Sequence, residues 1–342
     1  MWTILVTSLS TSTIITMAST HWLLAWIGLE LNTLSMLPIM MKLRHPRATE
    51  ATTKYFIIQA ASAALILFAS TLNAWKTGQW NITTTTPHLT MITMTTAIAL
   101  KLGLAPMHFW YPEVLQASTM NTALIISTWQ KIAPLTLLYM TINHLSIPIL
   151  LLIGLMSALI GGWTGLNQTQ TRKILAFSSI AHMGWLITAL SLTPSLATLT
   201  FFTYTTMTIT MFLSLNTTLS KTLADLGTTW SHSPALLTTT MITLLSLGGL
   251  PPLTGFMPKW LILKELTATG LIMLATSMAL ASLPSLFFYT RMAYLTTMTT
   301  PPNTTNTEHK WRFKTNHTTN LSPTIALSLM LLPATPLLYM TT

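Results

Sequence analysis

The 342-residue chain is 51% hydrophobic and only 6% charged, with a mean hydropathy of +0.58, so it lacks the polar surface that a water-soluble protein of this size presents. Its net charge of +10 comes from 16 basic residues scattered between apolar runs with no exposed aromatic platform, which excludes nucleic-acid binding. It has no cysteine, which excludes disulfides, thiolate zinc sites and cysteine-ligated iron–sulfur clusters; no cofactor or metal is expected in this chain, and any redox chemistry is expected elsewhere.

The chain opens Met1-Trp2-Thr3-Ile4-Leu5, without the basic region of a secretory signal or the arginines of a transit peptide, so the first apolar run is expected to be mature structure. About eleven runs are long enough to cross ~30 Å of hydrocarbon. They span residues 3 to 20, 22 to 41, 55 to 73, 88 to 110, 119 to 140, 146 to 166, 174 to 192, 196 to 217, 235 to 262, 270 to 290 and 322 to 341. The pattern predicts an all-α polytopic protein forming one membrane domain over 1–342. Threonine is abundant in these runs, as in Thr203 to Thr210 and Thr238 to Thr243, and would favour strands in water. In lipid, its hydroxyl bonds back to the preceding helical turn and open sheet edges are excluded, so helix is expected. The 22 methionines read as lipid-facing or packing residues.

Between the runs, Glu50 and Lys54 stand four apart in the order that braces a helix end. Asp225 falls in a loop with Lys221 and is expected to be solvated. The polar stretch 291–321, with Pro301, Pro302 and the basic run Lys310 to Lys314, is expected to be an extramembrane loop meeting a partner or anionic headgroups, cardiolipin included. If the runs alternate in direction, Lys42, Arg44, Arg47, Lys54, Arg172, Lys173, Lys221, Arg291, Lys310, Arg312 and Lys314 share one side, and only Lys76 falls on the other. The basic side is the side of synthesis. The N-terminus is therefore expected there and the C-terminus across the membrane.

Charges inside the runs are costly, about 2.5 to 3.5 kcal/mol for a lysine at mid-membrane on insertion scales. Lys101, Lys131 and Lys259 each have a proline close by, and Pro106, Pro134 and Pro258 are expected to free the carbonyls of Leu102, Gln130 and Thr254. The run Gly248 to Lys259 holds too many helix breakers to be straight, and broken helices mark ion sites in transporters. Glu30 is expected to pair with Lys101, and the alternative is a neutral buried acid. The alternative for the lysines, Lys264 above all, is snorkelling to the interface. His182, with Ser178 and Ser179 one turn away, is either a hydrogen-bonded core histidine or a proton-relay link. His108, two residues after Pro106, is a weaker candidate that can merely satisfy the break. The lysines and His182 are expected to line a hydrated polar axis. The segment Leu102 to Met107 echoes Leu247 to Pro252, which suggests repeated halves.

Lys101-Leu102-Gly103-Leu104-Ala105-Pro106-Met107-His108-Phe109-Trp110-Tyr111-Pro112-Glu113 closely resembles the broken-helix signature of the antiporter-like subunits of respiratory complex I, also found in multi-subunit sodium/proton antiporters. Arg47 to Ala51, Leu175 to Gly184, and Leu250 to Phe256 before Lys259 resemble further motifs of that family, in order. Length, composition and span number are similar to its animal mitochondrial branch, which lacks three N-terminal helices of bacterial relatives. The resemblance implies two proline-broken helices within antiporter-like inverted repeats, in the mitochondrial inner membrane, with the N-terminus in the matrix and the C-terminus in the intermembrane space. It also implies a core membrane subunit, flanked by other complex I membrane subunits, that moves protons from matrix to intermembrane space. Flavin, iron–sulfur and quinone sites would lie in those partner subunits. The relay roles fall on Glu30, Lys101, Lys131 and Lys259, with His182 as a link. A stand-alone cation/proton antiporter and a scaffold that only transmits electrostatics are the alternatives.

Overall fold

Hydroxyl groups inside the apolar runs turn back onto their own helices. Thr16 donates to the Thr13 carbonyl, Ser62 to Gln59, Thr188 to Trp185 and Thr203 to Thr200, all at 2.7–3.0 Å. This removes the reason for threonine to favour strands. The computed structural model describes residues 2–43, 45–84, 88–229, 234–298 and 321–341, and among them the regular elements are helices, with two isolated β-bridges between loops. The chain divides into two compact units, Met1–Ser157 and Ala158–Thr342.

The first unit holds α1 (Trp2–Ala18), α2 (Trp22–Met40), α3 (Pro46–Thr77), α4 (His88–Leu102), α5 (Trp110–Ala117), α6 (Met120–Ser127) and α7 (Ile132–Thr141). Pro46 starts α3, where its missing N–H costs nothing, and the His45 ring accepts from the Arg47 N–H at 3.2 Å. Helices α1 and α2 pack closely at Gly28, where a Cβ would lie 2.5 Å from the Thr16 methyl. A small residue is what lets two backbones approach this closely.

The boundary between the units falls within α8 (Ile147–Gly165), after which the second unit holds α9 (Thr171–Leu192), α10 (Pro194–Thr218), the short α11 (Leu223–Thr228), α12 (Pro234–Gly248), α13 (Phe256–Ala268), α14 (Ile272–Met298), α15 (Ser322–Met330) and α16 (Thr335–Thr341). Six helices, α2, α3, α8, α9, α10 and α14, are long and apolar enough to cross a membrane, and α1 and α12 are shorter apolar helices.

Several boundaries differ from the sequence expectation. The run 88–110 ends as a helix at Leu102, and Trp110–Ala117 forms a separate helix. The run 119–140 is broken at a 3₁₀ turn, Trp129–Lys131, rather than at Pro134. Pro134 and Pro258 both sit in the first turn of the helix that follows a break, where a proline removes no internal hydrogen bond. Arg291 to Met298, expected as the start of a loop over 291–321, continues α14 because Phe288, Tyr289 and Met292 keep it buried against its neighbours. Residues 299–320, with Pro301, Pro302 and the basic run, lie outside the described residues.

Loop contacts within each unit join segments that alternating spans put on one side. In the first unit Trp22 N–H donates to Trp80 C=O and Ile82 N–H to Thr20 C=O, both at 3.0 Å, with the His21 and Trp80 rings stacked. At the other end, Lys54 bridges Glu50 at 2.6 Å and Glu113 at 2.7 Å. Glu50–Lys54 is thus the expected brace, and Glu113 extends it to α5. In the second unit Thr171 N–H donates to Lys221 C=O, Leu223 N–H to Thr169 C=O, and the Arg291 guanidinium to Leu166 C=O. Asp225 is not merely solvated: its carboxylate accepts from the Lys221 and Thr222 N–H groups while Thr222 caps Asp225 in return.

Candidate functional site

The two long breaks share one backbone device. After α4, the Gly103 N–H donates to Leu100 C=O and the Leu104 N–H to Ala99 C=O. After α12, the Gly249 N–H donates to Ser246 C=O and the Leu250 N–H to Leu245 C=O. Each is a helix stop closed by a left-handed glycine, with φ of 69° at Gly103 and 81° at Gly249. Gly103 therefore corresponds to Gly249, which shifts the expected echo of Leu102 with Leu247 by one residue. What surrounds the two stops differs.

In the first unit the stop is lined by side chains that serve the last carbonyls. The Trp110 indole donates to Leu100 C=O at 3.2 Å and the Gln59 amide to Lys101 C=O at 3.5 Å. These are the carbonyls that receive side-chain donors, rather than the expected one at Leu102. Beside them lies a cavity with about 20 Å³ open to the centre of a water-sized sphere, lined by Asn32, Tyr55, Gln59, Lys101, Gln130 and Lys131 among others. That is room for a water with several polar partners. Lys101 is 6% exposed and Lys131 3%. The Lys101 ammonium meets no hydrogen-bond acceptor among the described residues. The Lys131 ammonium stands 5.1 Å from the centre of the Tyr111 ring, a cation–π contact, worth about 2 kcal/mol when desolvated. Neither ammonium reaches for an interface, as snorkelling would require.

The Gln130 side chain ties the cavity wall together, donating to Asn32 Oδ1 at 3.0 Å and accepting from the Tyr55 hydroxyl at 3.3 Å. Gln130 thus lines the cavity through its amide and not through a carbonyl freed by Pro134. Glu30 and Lys101 form no direct ion pair. Glu30 Oε2 accepts instead from the Thr33 hydroxyl at 3.1 Å on its own helix, while remaining near enough to act on Lys101 and Tyr55 through space. His108 is buried within the break, its ring nitrogen 3.3 Å from Pro106 C=O and its ring against Phe109. It does not line the lysine cavity.

In the second unit the lysine comes from beyond the break and reaches back over it. Lys259, on α13, donates to Gly248 C=O, the last residue of α12, at 2.9 Å. The cation therefore sits at the negative end of the first half-helix. The expected acceptor, Thr254 C=O, is not the one used; the Thr254 hydroxyl itself donates to Ser328 C=O at 2.8 Å. Lys259 and His182 line a second cavity of about 20 Å³ with Trp185, Thr203, Tyr204 and Met207. The His182 ring is 3.4 Å from the Tyr289 hydroxyl and packs on the Tyr204 ring. Buried methionines take part too: Met207 sulfur accepts from Ser246 and Thr254, and Met211 sulfur from Thr243, so these two are more than packing.

The sequence-expected lysines therefore stand in two polar centres, Lys101 with Lys131 in one unit and Lys259 with His182 in the other. Tyr55, Gln59 and Tyr111 were missed, Gln130 was expected through its carbonyl and not its side chain, and Asn32 was not expected in the cavity wall. An amide within an apolar run is the signal that finds the two glutamines and Asn32, since such a group needs a partner there. Among the described residues no cluster of three histidine, aspartate or glutamate side chains is placed to hold a metal ion.

Residues 19–284 match the family described as NADH:quinone oxidoreductase/Mrp antiporter, TM, and residues 286–339 match NADH dehydrogenase subunit 2 C-terminus. NADH-ubiquinone oxidoreductase chain 2 of Carassius auratus is 56% identical over 97% of this chain and 96% of its own length, and that of Xenopus laevis is 52% identical over 98% and 97%. A chain of respiratory complex I from Thermus thermophilus superposes with a TM-score of 0.84 at 25% identity, over 97% of this chain and 78% of that one. A chain of the Mrp complex from Dietzia sp. DQ12-45-1b superposes with a TM-score of 0.83 at 16% identity, over 98% and 75%, and shows the fold alone. The chain belongs to the NADH:quinone oxidoreductase/Mrp antiporter family, on its NADH-ubiquinone oxidoreductase chain 2 branch.

Proposed function

We propose that this chain, as a core membrane subunit of respiratory complex I, passes protons across the mitochondrial inner membrane through Lys101, Lys131 and Lys259, with Glu30 biasing the first pair and His182 serving the last. The observation that carries the reading is the first cavity, where two buried lysines share one space the size of a water molecule. Two ammonium groups in one low-dielectric site repel, so a proton on one makes a proton on the other more costly, and a nearby change of charge redistributes them. Glu30, held through space and not by a direct bond, is suited to convey such a change. His108 is left to the break itself.

Electron transfer then belongs to partner subunits that carry flavin, iron–sulfur clusters and quinone, and other membrane subunits flank this one. The side bearing Arg47, Lys54, Arg172, Lys173, Lys221 and Arg291 faces the matrix, the N-terminus with it, and its basic loops suit anionic headgroups such as cardiolipin. Protons move from that side to the intermembrane space.

Lys131→Arg tests the reading. Arginine keeps the charge and holds its proton at every physiological pH, whereas a relay must release it. In the intact complex reconstituted into vesicles, NADH-driven proton uptake with Lys131→Arg should be impaired about as badly as with Lys131→Met. Full coupled activity of Lys131→Arg would remove Lys131 from the relay, and a charge needed only for electrostatic transmission would show that result.

A further inference from the structure

Tyr289 on α14 brings to the second unit a buried hydroxyl that the proposed relay leaves without a role. The residue is 1% exposed, and its ring lies against the helix stop after α12, where a Cβ on Gly248 would rest 3.7 Å from its Cδ2. Its hydroxyl stands between two groups of α9. One is the His182 ring, with Nε2 at 3.4 Å, and the other is the Ser178 side chain, to which it is also hydrogen-bonded. Ser178, itself 1% exposed, donates to the Leu175 carbonyl at 2.8 Å.

Proton counting orders these contacts. Serine and tyrosine hydroxyls have one proton each, whereas a backbone carbonyl only accepts. Ser178 spends its proton on Leu175 C=O, so toward Tyr289 it accepts. Tyr289 then spends its own proton on Ser178, and toward His182 it accepts in turn. All three contacts are hydrogen bonds together only if His182 carries its proton on Nε2. The reverse order, with Tyr289 donating to Nε2, requires Ser178 either to leave Leu175 C=O or to face Tyr289 oxygen to oxygen, and leaving a buried polar group unpaired costs more than a typical hydrogen bond contributes.

We infer that Tyr289 is a positioning residue which, backed by Ser178, holds the His182 proton on Nε2 and leaves Nδ1 as the one ring atom that takes up and gives back a proton. The inference deepens the relay proposed above and rests on His182 serving it. A neutral imidazole has one basic nitrogen, and the hydrogen bond at the other decides which. A proton arriving at Nδ1 makes the imidazolium, whose Nε2–H stays on the Tyr289 oxygen; when that proton departs from Nδ1, the neutral ring is restored in the same tautomer. None leaves along Tyr289 and Ser178, because that chain ends on an amide carbonyl, which does not hold a proton. His182 is then a one-sided station in the cavity it lines with Lys259, and not a wire that takes a proton at one nitrogen and releases it at the other.

The variants are made in the intact complex in vesicles, with proton uptake scaled to NADH oxidation by an artificial acceptor. His182→Gln tests the ground on which the inference stands and should lower uptake. Tyr289→Phe keeps the ring against Gly248 and removes the hydroxyl alone; uptake should fall about two- to tenfold, the change in tautomer populations that one hydrogen bond controls. Ser178→Ala should lower uptake in the same direction, since Tyr289 then turns its proton to Nε2 and drives the ring into the other tautomer. A Ser178 hydroxyl that serves only its own helix predicts no such loss. In the His182→Gln background Tyr289→Phe should cost nothing further, as expected of two groups acting as one. Parent-level uptake in His182→Gln would remove His182 from the relay and the inference with it, leaving Lys131→Arg to judge the lysines. Lowered uptake in His182→Gln with parent-level uptake in Tyr289→Phe or Ser178→Ala would overturn the tautomer assignment and leave the relay standing, as would a further loss from Tyr289→Phe in the His182→Gln background. If Tyr289→Phe fails to assemble, Ser178→Ala decides by itself.

Discussion

Lys259 owes its position to a glycine. Gly249 adopts φ of 81°, and a Cβ there would come within 2.9 Å of the Lys259 ammonium and 3.0 Å of its Cδ. Gly249→Ala would therefore strain the helix stop by about 1 to 3 kcal/mol and push the ammonium off Gly248 C=O. Proton uptake per assembled complex should fall; uptake at the parent level in an assembled Gly249→Ala complex would mean that the cap on α12 is irrelevant to transport. In the other unit Gln130 is the residue on which the cavity wall depends. Gln130→Leu strands the Asn32 carbonyl oxygen and the Tyr55 hydroxyl together, a loss of about 1 to 3 kcal/mol for each group left unpaired. A lower thermal midpoint of the solubilised complex should follow, and an unchanged midpoint would show that other groups take over both bonds.

At the scale of elements, the breaks were legible in sequence and their exact places were not. Composition identified the spans because lipid leaves the backbone no partner but itself, and glycine with proline identified two interruptions. Proline, however, was read as the breaker, whereas Pro134 and Pro258 begin the helices that follow, and the stops belong to Gly103, Gly249 and the turn Trp129–Lys131. The lysines could be found from cost alone, since a charge in an apolar run is conspicuous. Their partners were hidden because Gln130 and Tyr55 are 75 residues apart, and Lys259 and Gly248 meet only across a bend. Asp225 shows the same limit outside the membrane: it is exposed, as loop composition suggested, and the fold also makes it part of the cap of α11, which composition did not show. The N–H groups of Thr222 and then Lys221 hold its carboxyl below the ordinary carboxylate range. Because the folded value is depressed, this stabilisation is complete above the unfolded value of about 3.9 and is lost as pH falls through the folded value. Hydrogen exchange at the Lys221 and Thr222 amides, corrected for intrinsic rate, should be flat above about pH 5 and rise only in stronger acid. Asp225→Asn should abolish that step, and a step retained in the variant would assign it to another group.

At the scale of the whole chain, the question is which ends of the helices share a side. Charge counting places basic loops together, yet counting alone depends on the number of spans. The loop contacts supply an argument that does not. Backbone bonds join the segments around Thr169 and Lys221, the Arg291 side chain reaches Leu166, and Lys54 reaches Glu113; each pair falls on the basic side when every run crosses once. Exposed ion pairs contribute only about 0 to 1 kcal/mol, so Lys54 and Glu113 report the topology more than they stabilise it. Since the chain has no cysteine, a single introduced thiol would be its only one. Asn167, Lys221 and Thr269 are exposed, and Asn167→Cys and Lys221→Cys should react with an impermeant thiol reagent from one face of the membrane, with Thr269→Cys reacting from the other. In the first unit Thr49→Cys and Gln79→Cys should divide in the same manner, because α3 crosses between them. An outcome with Asn167 and Lys221 labelled from opposite faces would break the alternation, and with it the assignment of the basic side to the matrix on which the direction of proton movement rests.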